Sequence, residues 1–366
     1  MKLNIRKQIS IIAVAILLLS GHNVRAQVET DFFKAGINDG MELMEAYISP
    51  FANAFGAGFN SAWYNTAKPH KFGGFDVTLS VSAAFVPDDA LEFDLAGMNF
   101  SRLELVDPMG GSIAPTIAGA KDAPRPQLHV MQEVPGMPGT EIELVNFESP
   151  GGTGFKTVPS PMLQAGIGLP LGSEIKLRYI PNTPVDEGSL SMIGGGFMKS
   201  ISEHIKAFKM LPVNISAFAG YNRLSGNVPI SVQPSSTAYY DNYTLADFND
   251  QTFLVDVSSW NISLIGSVDI PFVTGYAGIG YSKTATVMNI DGYIPLPTVD
   301  PAISTTSPVY TDEGVVEDVT EINIENYSGL RMNVGARLKL AVFTFHVDYT
   351  YADYNVITAG IGVSFR

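Results

Sequence analysis

The side chains best suited to acid–base chemistry lie near the end of the chain. His346 and Asp348 are two residues apart in the segment FTFHVDYTY, so in a strand they lie on the same face. A histidine oriented by a carboxylate can activate a serine hydroxyl, which Ser364 or Ser263 would have to supply from another strand. The simpler interpretation is that all four are ordinary polar residues on one face of a sheet. We therefore expect the protein not to be an enzyme.

The sequence predicts neither a metal site nor a cofactor. The chain has no cysteine and contains no H-E-x-x-H or G-x-S-x-G motif. The segment 289–321 is rich in carboxylates, which Ca²⁺ prefers as ligands, but it lacks the D-x-D-x-D-G spacing. We expect a solvated acidic loop here. Its acidic residues are Asp291, Asp300, Asp312, Glu313, Glu317, Asp318 and Glu321.

Basic residues also fall on the polar face of strand-like segments. On the inner face of a barrel they could select anionic solutes or form ion pairs with acidic residues of the N-terminal segment, and structural pairing is the favoured role. Together with His346 and Asp348 they are predicted to face the lumen. These residues are Lys176, Arg178, Arg331, Arg337 and Lys339.

Several strand-like segments alternate apolar and polar residues over ten or more positions, and shorter runs such as 175–179 behave likewise. Examples are 75–85, 260–270 and 330–340, whereas strands of soluble proteins average five or six residues. Ten tilted residues match the hydrocarbon thickness of a bilayer. Aromatic residues stand near the strand ends, as in the girdles of outer-membrane barrels. The pattern predicts an all-β fold, an antiparallel transmembrane β-barrel; a secreted β-sandwich or a β-rich surface protein is the alternative.

Twelve to fourteen barrel strands are predicted. The weak part is 107–161, which has nine prolines and whose possible hairpin around 141–147 would raise the count from twelve to fourteen. Tight turns near 170–173, 269–271 and 340–342 are expected on the periplasmic side, and long loops outside. A short helix is expected at 202–211. The twelve predicted strands are 71–86, 91–106, 125–135, 155–169, 173–181, 188–200, 212–225, 251–269, 272–288, 322–340, 343–352 and 354–366.

Residues 1–26 have the pattern of a secretory signal peptide. A basic start is followed by an apolar run of nine residues, Ile11 to Leu19, and by a small-x-small cleavage site that ends at Ala26. We expect cleavage after Ala26 and location in the bacterial outer membrane; an uncleaved anchor is the alternative. The net charge of −14 argues against nucleic acid as a partner, because phosphate repels an acidic protein.

The segment 27–70 does not alternate. Apolar residues recur at three-, four- and seven-residue intervals, which predicts one or two amphipathic helices before the barrel domain at 71–366. Such a helix could plug the lumen, lie on the membrane interface or form a mobile periplasmic arm, and a plug or hatch is favoured. The aromatic residues predicted to line the hatch are Phe51, Phe55, Phe59 and Trp63.

Four stretches of the chain resemble an uncharacterised family of outer-membrane barrels from Bacteroidota. They are ISPFANAFGAGFNSAWYNTAKPHKFGGFDVTLS, PSPMLQAGIGLPLGSEIKLRYIP, GGGFMKSISEHIKAFKMLPVNIS and DYNVITAGIGVSF. The family looks remotely similar to the long-chain fatty-acid transporter superfamily. That resemblance implies a plug that blocks the lumen and hydrophobic substrates that leave sideways through the wall. The terminal Arg366 departs from the usual ending, in which an aromatic residue is last.

The expected function is passive uptake or export of small hydrophobic molecules by a monomeric barrel, gated by the N-terminal segment. The expected partners are outer-membrane lipid, a small hydrophobic ligand and the barrel assembly machinery. One alternative is a structural or interaction barrel with partner-binding surface loops. An outer-membrane lipid-modifying enzyme, which would need His346, is the third possibility.

Overall fold

The computed structural model describes residues 35–185, 188–205, 212–234, 238–324 and 327–365. The predicted signal peptide 1–26 and the first part of the N-terminal segment lie outside these residues. Of the predicted helix at 202–211, the described part is a single 3₁₀ turn, Ser202–His204. Among the described residues, no helix combines the length and the apolar character needed to cross a membrane.

The described structure contains one α-helix, eighteen strands and several short 3₁₀ turns. The helix is α1 (Ile37–Phe59). The strands, in chain order, are β1 (Phe75–Phe85), β2 (Glu92–Asp94), β3 (Leu103–Leu105), β4 (Ile113–Pro115), β5 (Gln127–Glu133), β6 (Glu141–Glu148), β7 (Thr157–Leu169), β8 (Ser173–Val185), β9 (Gly188–Ser200), β10 (Val213–Pro229), β11 (Ala238–Tyr239), β12 (Thr252–Ile270), β13 (Val273–Pro295), β14 (Tyr310–Thr311), β15 (Val315–Ile324), β16 (Ser328–Leu340), β17 (Phe343–Tyr351) and β18 (Val356–Phe365).

Ten of these strands form a closed antiparallel ring. The order of paired neighbours is β12, β10, β9, β8, β7, β1, β18, β17, β16 and β13, and β13 pairs in turn with β12. The first and last ring strands meet from Phe75↔Phe365 to Ala84↔Val356. β13 is longer than its neighbours: β16 pairs with residues 273–283 of β13, and β15 pairs with residues 286–295. The predicted fold, an antiparallel β-barrel preceded by a helix, is confirmed.

The predicted number of barrel strands is too high. β1 and β7 pair directly, from Phe75↔Ile167 to Phe85↔Thr157, so the segment 86–156 between them is a loop and not part of the ring. The predicted strands at 91–106 and 125–135 fall in this loop. There β2 pairs with β4, and β5 pairs with β3 and β6; the hairpin expected around 141–147 is β5–β6. The three-residue strands of this loop cover only about 10 Å, too little to cross a bilayer.

The two faces of the ring differ as the alternation predicts. On β1 the odd-numbered residues point outward and the even-numbered residues are buried. Outward-facing Leu264 and Ile361 are about half exposed although both are large and apolar. Because a continuous apolar outer belt of this kind would be unstable in water, the ring has the surface of a membrane-spanning barrel. The ring thus buries polar residues inside and presents apolar residues to lipid.

Three tight turns lie at one end of the ring, and the longest loops lie at the other. The three-residue connection 170–172 joins β7 to β8, and two of its residues are left-handed, Leu171 (φ 61°) and Gly172 (φ 64°). Two-residue connections join β12 to β13 and β16 to β17. The loops 86–156 and 296–314 lie at the other end. We call these the short-turn end and the loop end.

The N-terminal segment runs through the lumen from the loop end to the short-turn end. Asp39, in the first turn of α1, accepts hydrogen bonds from loop residues Ser101, Arg102 and Leu103. At the other end of the segment, His70 donates its backbone N–H to Glu174 of β8. Residues 37–70 are named the lumen segment below.

Apolar side chains fill the half of the lumen that is nearer the loop end. Leu43 and Met44 of α1 are completely buried in one cluster with residues of the loop 86–156 and of the long upper ends of β12 and β13. Phe253, Met288 and Ile290 contribute from those strands. This cluster closes the loop end of the barrel over the helix.

Candidate functional site

Two arginines from opposite walls hold the C-terminal end of α1. Arg178 of β8 donates to the carbonyl oxygens of Phe59 (2.9 Å) and Ser61 (2.7 Å). Arg331 of β16 donates to the carbonyl oxygen of Asn60 (2.8 Å) and to the hydroxyl of Ser61 (3.0 Å). The last carbonyls of a helix lack partners within the helix and carry partial negative charge. We use the name arginine clamp for Arg178 and Arg331 together with the three residues of the N-terminal segment that they bind, Phe59, Asn60 and Ser61.

The clamp also fixes the chain that follows the helix. Arg178 lies over the ring of Trp63, with its Cζ 3.6 Å from the ring centroid, a cation–π contact. Phe218 is an apolar residue on the otherwise polar inner face of β10. Its ring packs on that of Trp63, with 5.3 Å between the ring centroids. Gln164 donates to the carbonyl oxygen of Trp63 at 3.2 Å. Trp63 is therefore held in the lumen on three sides.

The other predicted lumen bases make different contacts. Arg337 donates to the amide oxygen of Asn65 in the lumen segment at 3.2 Å. Lys339 donates to Ser364 at 3.2 Å, and Lys176 is hydrogen-bonded to Glu174. Three of the five bases, the arginines, thus contact the lumen segment itself. They bind its carbonyl, hydroxyl and amide oxygens and not the acidic side chains with which pairing was expected.

His346 and Asp348 are both buried but lie in separate environments. Asp348 accepts a hydrogen bond from Tyr276 at 2.9 Å, whereas neither ring nitrogen of His346 has a hydrogen-bond partner within the described residues. Ser364 bonds to His70 and Lys339, and Ser263 donates to Asn261. The geometry does not assemble these residues into a nucleophilic site.

The four predicted hatch aromatics occupy three levels of the lumen. Phe51 packs near the loop end against the cluster that contains Val86 and Tyr327. Phe55 and Phe59 stack on each other at 5.5 Å between ring centroids. Trp63 lies closest of the four to the short-turn end, in a cluster with Phe218 and Ile265. They do not form one binding pocket.

Carboxylates of the acidic loop accept hydrogen bonds from backbone N–H groups of that loop and of a neighbouring one. Asp312 accepts from the backbone N–H groups of Asp241 and Asn242, and Asp318 accepts from that of Gly292 at 2.8 Å. Asp300 accepts from Ala302 at 2.8 Å. These carboxylates stabilise turns at the loop end.

One seam of the ring is paired along only part of its length. β7 and β8 pair from Leu169↔Ser173 to Gln164↔Arg178, and beyond this point residues 157–163 and 179–185 have no pairing with each other. Both stretches keep their other neighbours, β1 and β9. The pair Phe85↔Thr157 lies at the loop end of both strands, so the unpaired stretch lies in the half of the apolar belt nearer the loop end.

Prolines account for the missing pairing. Pro159 and Pro161 lie on β7, and Pro181 and Pro184 lie on β8. Proline has no N–H to donate to a ladder and is found on edge strands for that reason. We name residues 157–163 and 179–185 the proline seam.

An apolar cluster lies directly inside the proline seam. Met162 of β7 faces the lumen from the seam itself and is 2 % exposed. Ile180 of β8 packs against the same cluster, which Phe59 of the lumen segment completes. The other buried members are Met192, Leu224 and Val257. The seam therefore lies between the lipid-facing surface and an apolar, methionine-containing part of the lumen, which we name the seam cluster.

Sequence reasoning missed several residues that hold the lumen segment. Asn222 donates to the carbonyl oxygen of Phe59 at 3.2 Å, and Asn261 donates to that of Asn60 at 3.3 Å. Ser216 donates to the carbonyl oxygen of Ala67. All three fall on the polar face predicted by alternation, so their direction was detectable but their partners were not.

Comparison with protein families identifies a relationship over almost the whole chain. A family model, described as a family of unknown function, DUF6588, matches residues 5–365. The chain belongs to DUF6588. No curated protein matches the sequence. The predicted origin in Bacteroidota and the remote link to fatty-acid transporters stay predictions for this DUF6588 member.

Solved structures similar to this DUF6588 protein are outer-membrane proteins at low identity. The attachment invasion locus protein Ail of Yersinia pestis is 7 % identical, with 80 % of this chain and 98 % of that chain covered and a TM-score of 0.23. The translocator domain of the autotransporter NalP from Neisseria meningitidis is 7 % identical, with 81 % and 90 % covered and a TM-score of 0.29. The outer membrane protease OmpT from Escherichia coli is 9 % identical, with 80 % and 96 % covered and a TM-score of 0.27. TM-scores this low support no argument about activity.

Proposed function

We propose that this DUF6588 protein passes small hydrophobic molecules between the outer membrane and the lumen, and that the lumen segment is the gate. The observation that carries the proposal is the proline seam, which lies within the apolar belt and leads to the seam cluster. An apolar molecule dissolved in lipid would meet no ladder of backbone hydrogen bonds along this part of the wall. The apolar side chains behind it would replace the lipid environment without a large desolvation cost.

The interface between the lumen segment and the lower wall supports a gate that can move. Its polar contacts include hydrogen bonds from side chains such as Arg178, Asn222 and Asn261 to backbone oxygens. Water that enters as the segment moves would have to take over these bonds, because a buried donor left without a partner costs on the order of 1–3 kcal/mol. Displacement of the segment would open a path from the seam cluster to the short-turn end.

The location that this function requires is the bacterial outer membrane, reached by export and cleavage after Ala26. The alternation, the apolar belt and the signal-like segment support it. Mass spectrometry of protein purified from outer-membrane fractions is expected to give a chain that begins at Gln27. A chain found intact in the cytoplasmic fraction would contradict this.

The seam is tested by restoring backbone donors to it. The double substitution Pro159→Val with Pro161→Thr is expected to reduce entry of the hydrophobic dye 1-N-phenylnaphthylamine severalfold, since it permits longer pairing of β7 with β8. Pro229→Val, at the upper end of β10, is the matched control and should leave dye entry unchanged. Equal dye entry in the seam variant and the wild type would contradict a path through the seam.

The gate is tested by locking it with a disulfide, which the absence of native cysteine makes unambiguous. The hydroxyls of Thr66 in the lumen segment and Ser267 in β12 are 3.4 Å apart. Thr66→Cys with Ser267→Cys is expected to block dye entry when oxidised and to restore it on reduction. The pair Ser82→Cys with Thr358→Cys joins two wall strands at a hydroxyl distance of 3.0 Å and is the control.

A structural or interaction barrel is the second candidate function. The close filling of the lumen and the buried hydrogen bonds of the arginine clamp favour it, because a permanent plug needs both. Under this alternative the oxidised Thr66–Ser267 lock leaves dye entry at the level of the wild type. Deletion of the gene would then change envelope integrity or adhesion without changing uptake.

A further inference from the structure

Three ionisable side chains meet where the lumen segment joins the barrel wall at the short-turn end. His70 closes the lumen segment, Asp76 lies on β1 and Glu174 lies on β8. Their potential ligand atoms all lie within 4.8 Å of one another. Asp76 and Glu174 are 6 % and 2 % exposed, so both carboxylates are withdrawn from water.

The imidazole of His70 is oriented by both of its nitrogens. Nε2 lies 3.0 Å from the hydroxyl of Ser364. Nδ1 points at the carboxylates, 3.0 Å from Oε2 of Glu174 and 3.7 Å from Oδ1 of Asp76. In metal sites the ring nitrogen that does not bind the ion is held by a hydrogen bond to a neighbouring oxygen, as Nε2 is here.

One carboxylate oxygen of this group is left without a partner. Thr78 donates to Oδ2 of Asp76 at 2.9 Å, but Oδ1 is buried and makes no hydrogen bond with any described residue. An unsatisfied buried acceptor of this kind costs on the order of 1–3 kcal/mol. The oxygen points towards the other two residues, so a bound cation would satisfy it.

The space between the two carboxylates is kept open by a glycine. A Cβ at Gly166 would lie 2.3 Å from Oδ1 of Asp76 and 2.9 Å from Oε1 of Glu174. Any larger residue at this position of β7 would therefore fill the place between the oxygens. The absence of a side chain leaves room for a small ligand there.

We propose that His70, Asp76 and Glu174 form a binding site for a divalent transition-metal cation of the Zn²⁺ type. One imidazole nitrogen and two carboxylate oxygens match the ligands of Zn²⁺, whereas Ca²⁺ and Mg²⁺ prefer oxygen ligands alone. The bound ion would join the lumen segment to β1 and β8. The site stands on its own geometry and does not require the proposed transport.

Nearby lysines set the strength of the site. Lys176 is hydrogen-bonded to Oε1 of Glu174, so it competes with a cation for the charge of that carboxylate. Lys339 donates to Ser364, which in turn contacts His70. Removal of the Lys176 charge is therefore expected to strengthen binding of a cation.

The test uses the full chain without an affinity tag, purified in detergent and treated with EDTA. Isothermal titration with Zn²⁺ alone is expected to give one ion per chain, and titration with Ca²⁺ is expected to give none. Asp76→Asn and Glu174→Gln should each weaken Zn²⁺ binding at least tenfold. Asp269→Asn, at the same end of the barrel but outside the cluster, is the control and should bind Zn²⁺ as the wild type does.

A gain-of-binding variant guards against a trivial loss through misfolding. Lys176→Met is expected to bind Zn²⁺ more tightly than the wild type, which a damaged barrel would not do. Circular dichroism and the heat-modifiable mobility of the barrel report folding for every variant. The proposal is overturned if the wild type binds no Zn²⁺ at 100 μM (roughly the weak limit of a useful site,), or if folded Asp76→Asn binds it equally well.

Discussion

The guanidinium of Arg178 lies 3.6 Å from the ring centroid of Trp63 and also donates to the carbonyl oxygens of Phe59 and Ser61. One side chain of the wall thus holds both the end of α1 and the aromatic residue that follows it. The last turn of α1 contains no basic residue of its own. The barrel wall supplies the positive charge that usually stabilises a helix C-terminus from within the helix. The position of the lumen segment therefore depends on a small number of wall residues.

Replacement of Arg178 by glutamine is expected to loosen the lumen segment. It removes three hydrogen bonds from a charged donor, to Phe59, Ser61 and Gln164, and the contact with Trp63, at a cost of about 3 kcal/mol or more. Thermal unfolding in detergent and the fluorescence of Trp63, in a Trp260→Phe background, would report the change. Arg223→Gln on the outer face is the control, because Arg223 is exposed and its partner is the surface residue Asp256. A similar Tm for the two variants would contradict a special role of Arg178.

Substitution by alanine at two neighbouring glycines of β9 is expected to change the stability of the barrel by very different amounts. A Cβ at Gly196 would lie 2.9 Å from the ring of Phe218 and 3.0 Å from that of Trp63, whereas a Cβ at Gly195 meets no atom within 4 Å. Gly196→Ala should cost about 1–3 kcal/mol through overpacking, and Gly195→Ala should change stability by less than about 0.5 kcal/mol. Equilibrium unfolding in urea and detergent measures both. The reverse order would mean that the two faces of β9 have been assigned wrongly.

The attachment of α1 to the loop end is expected to depend on pH. Burial by itself would raise the pKa of Asp39, but hydrogen bonds from Ser101, Arg102 and Leu103 outweigh it and hold the pKa below its ordinary value. A lowered carboxyl pKa stabilises the fold above the unfolded value of about 3.9, and this contribution is lost as the pH falls through the lowered pKa. Asp39→Asn should therefore lower Tm at pH 7, and the difference from the wild type should vanish in strong acid.

The control for this prediction is Asp88→Asn. Asp88 is exposed and pairs with Lys156 on the surface of the loop end, so its removal should not change Tm measurably at pH 7. Differential scanning fluorimetry from about pH 1.5 to pH 8 would record both variants beside the wild type. A difference between Asp39→Asn and the wild type that grew as the pH fell would contradict the assigned sign.

The lipid-facing side of the ring is expected to reject charge. Leu264 faces outward near the middle of the apolar belt and is 49 % exposed. Leu264→Arg should cost about 2–4 kcal/mol in a bilayer, because the charge enters hydrocarbon. Leu245→Arg, at an exposed loop position, should cost less than about 0.5 kcal/mol. Refolding into vesicles of defined lipid measures both, and equal costs would mean that the outer face does not contact lipid.

Particular residues show how far sequence reasoning reached. The alternation in β8, β16 and β17 gave the inward direction of Lys176, Arg331 and Asp348, because neighbouring residues of a strand point to opposite faces. The same pattern failed in the loop 86–156. Its apolar runs satisfy the strand pattern, but β1 and β7 pair with each other and leave no place for them in the ring.

The amino-acid sequence alone determined that the chain forms long amphipathic strands with one apolar face for lipid, preceded by an amphipathic helix. These are local properties, which depend on the spacing of residues along one strand or one helix. The tertiary structure alone decided that Arg178 and Arg331 meet at one helix end, that four prolines on two strands leave a seam unpaired, and that His70 reaches Asp76 and Glu174. Each of these depends on which strands become neighbours, and strand pairing joins residues that are distant in sequence.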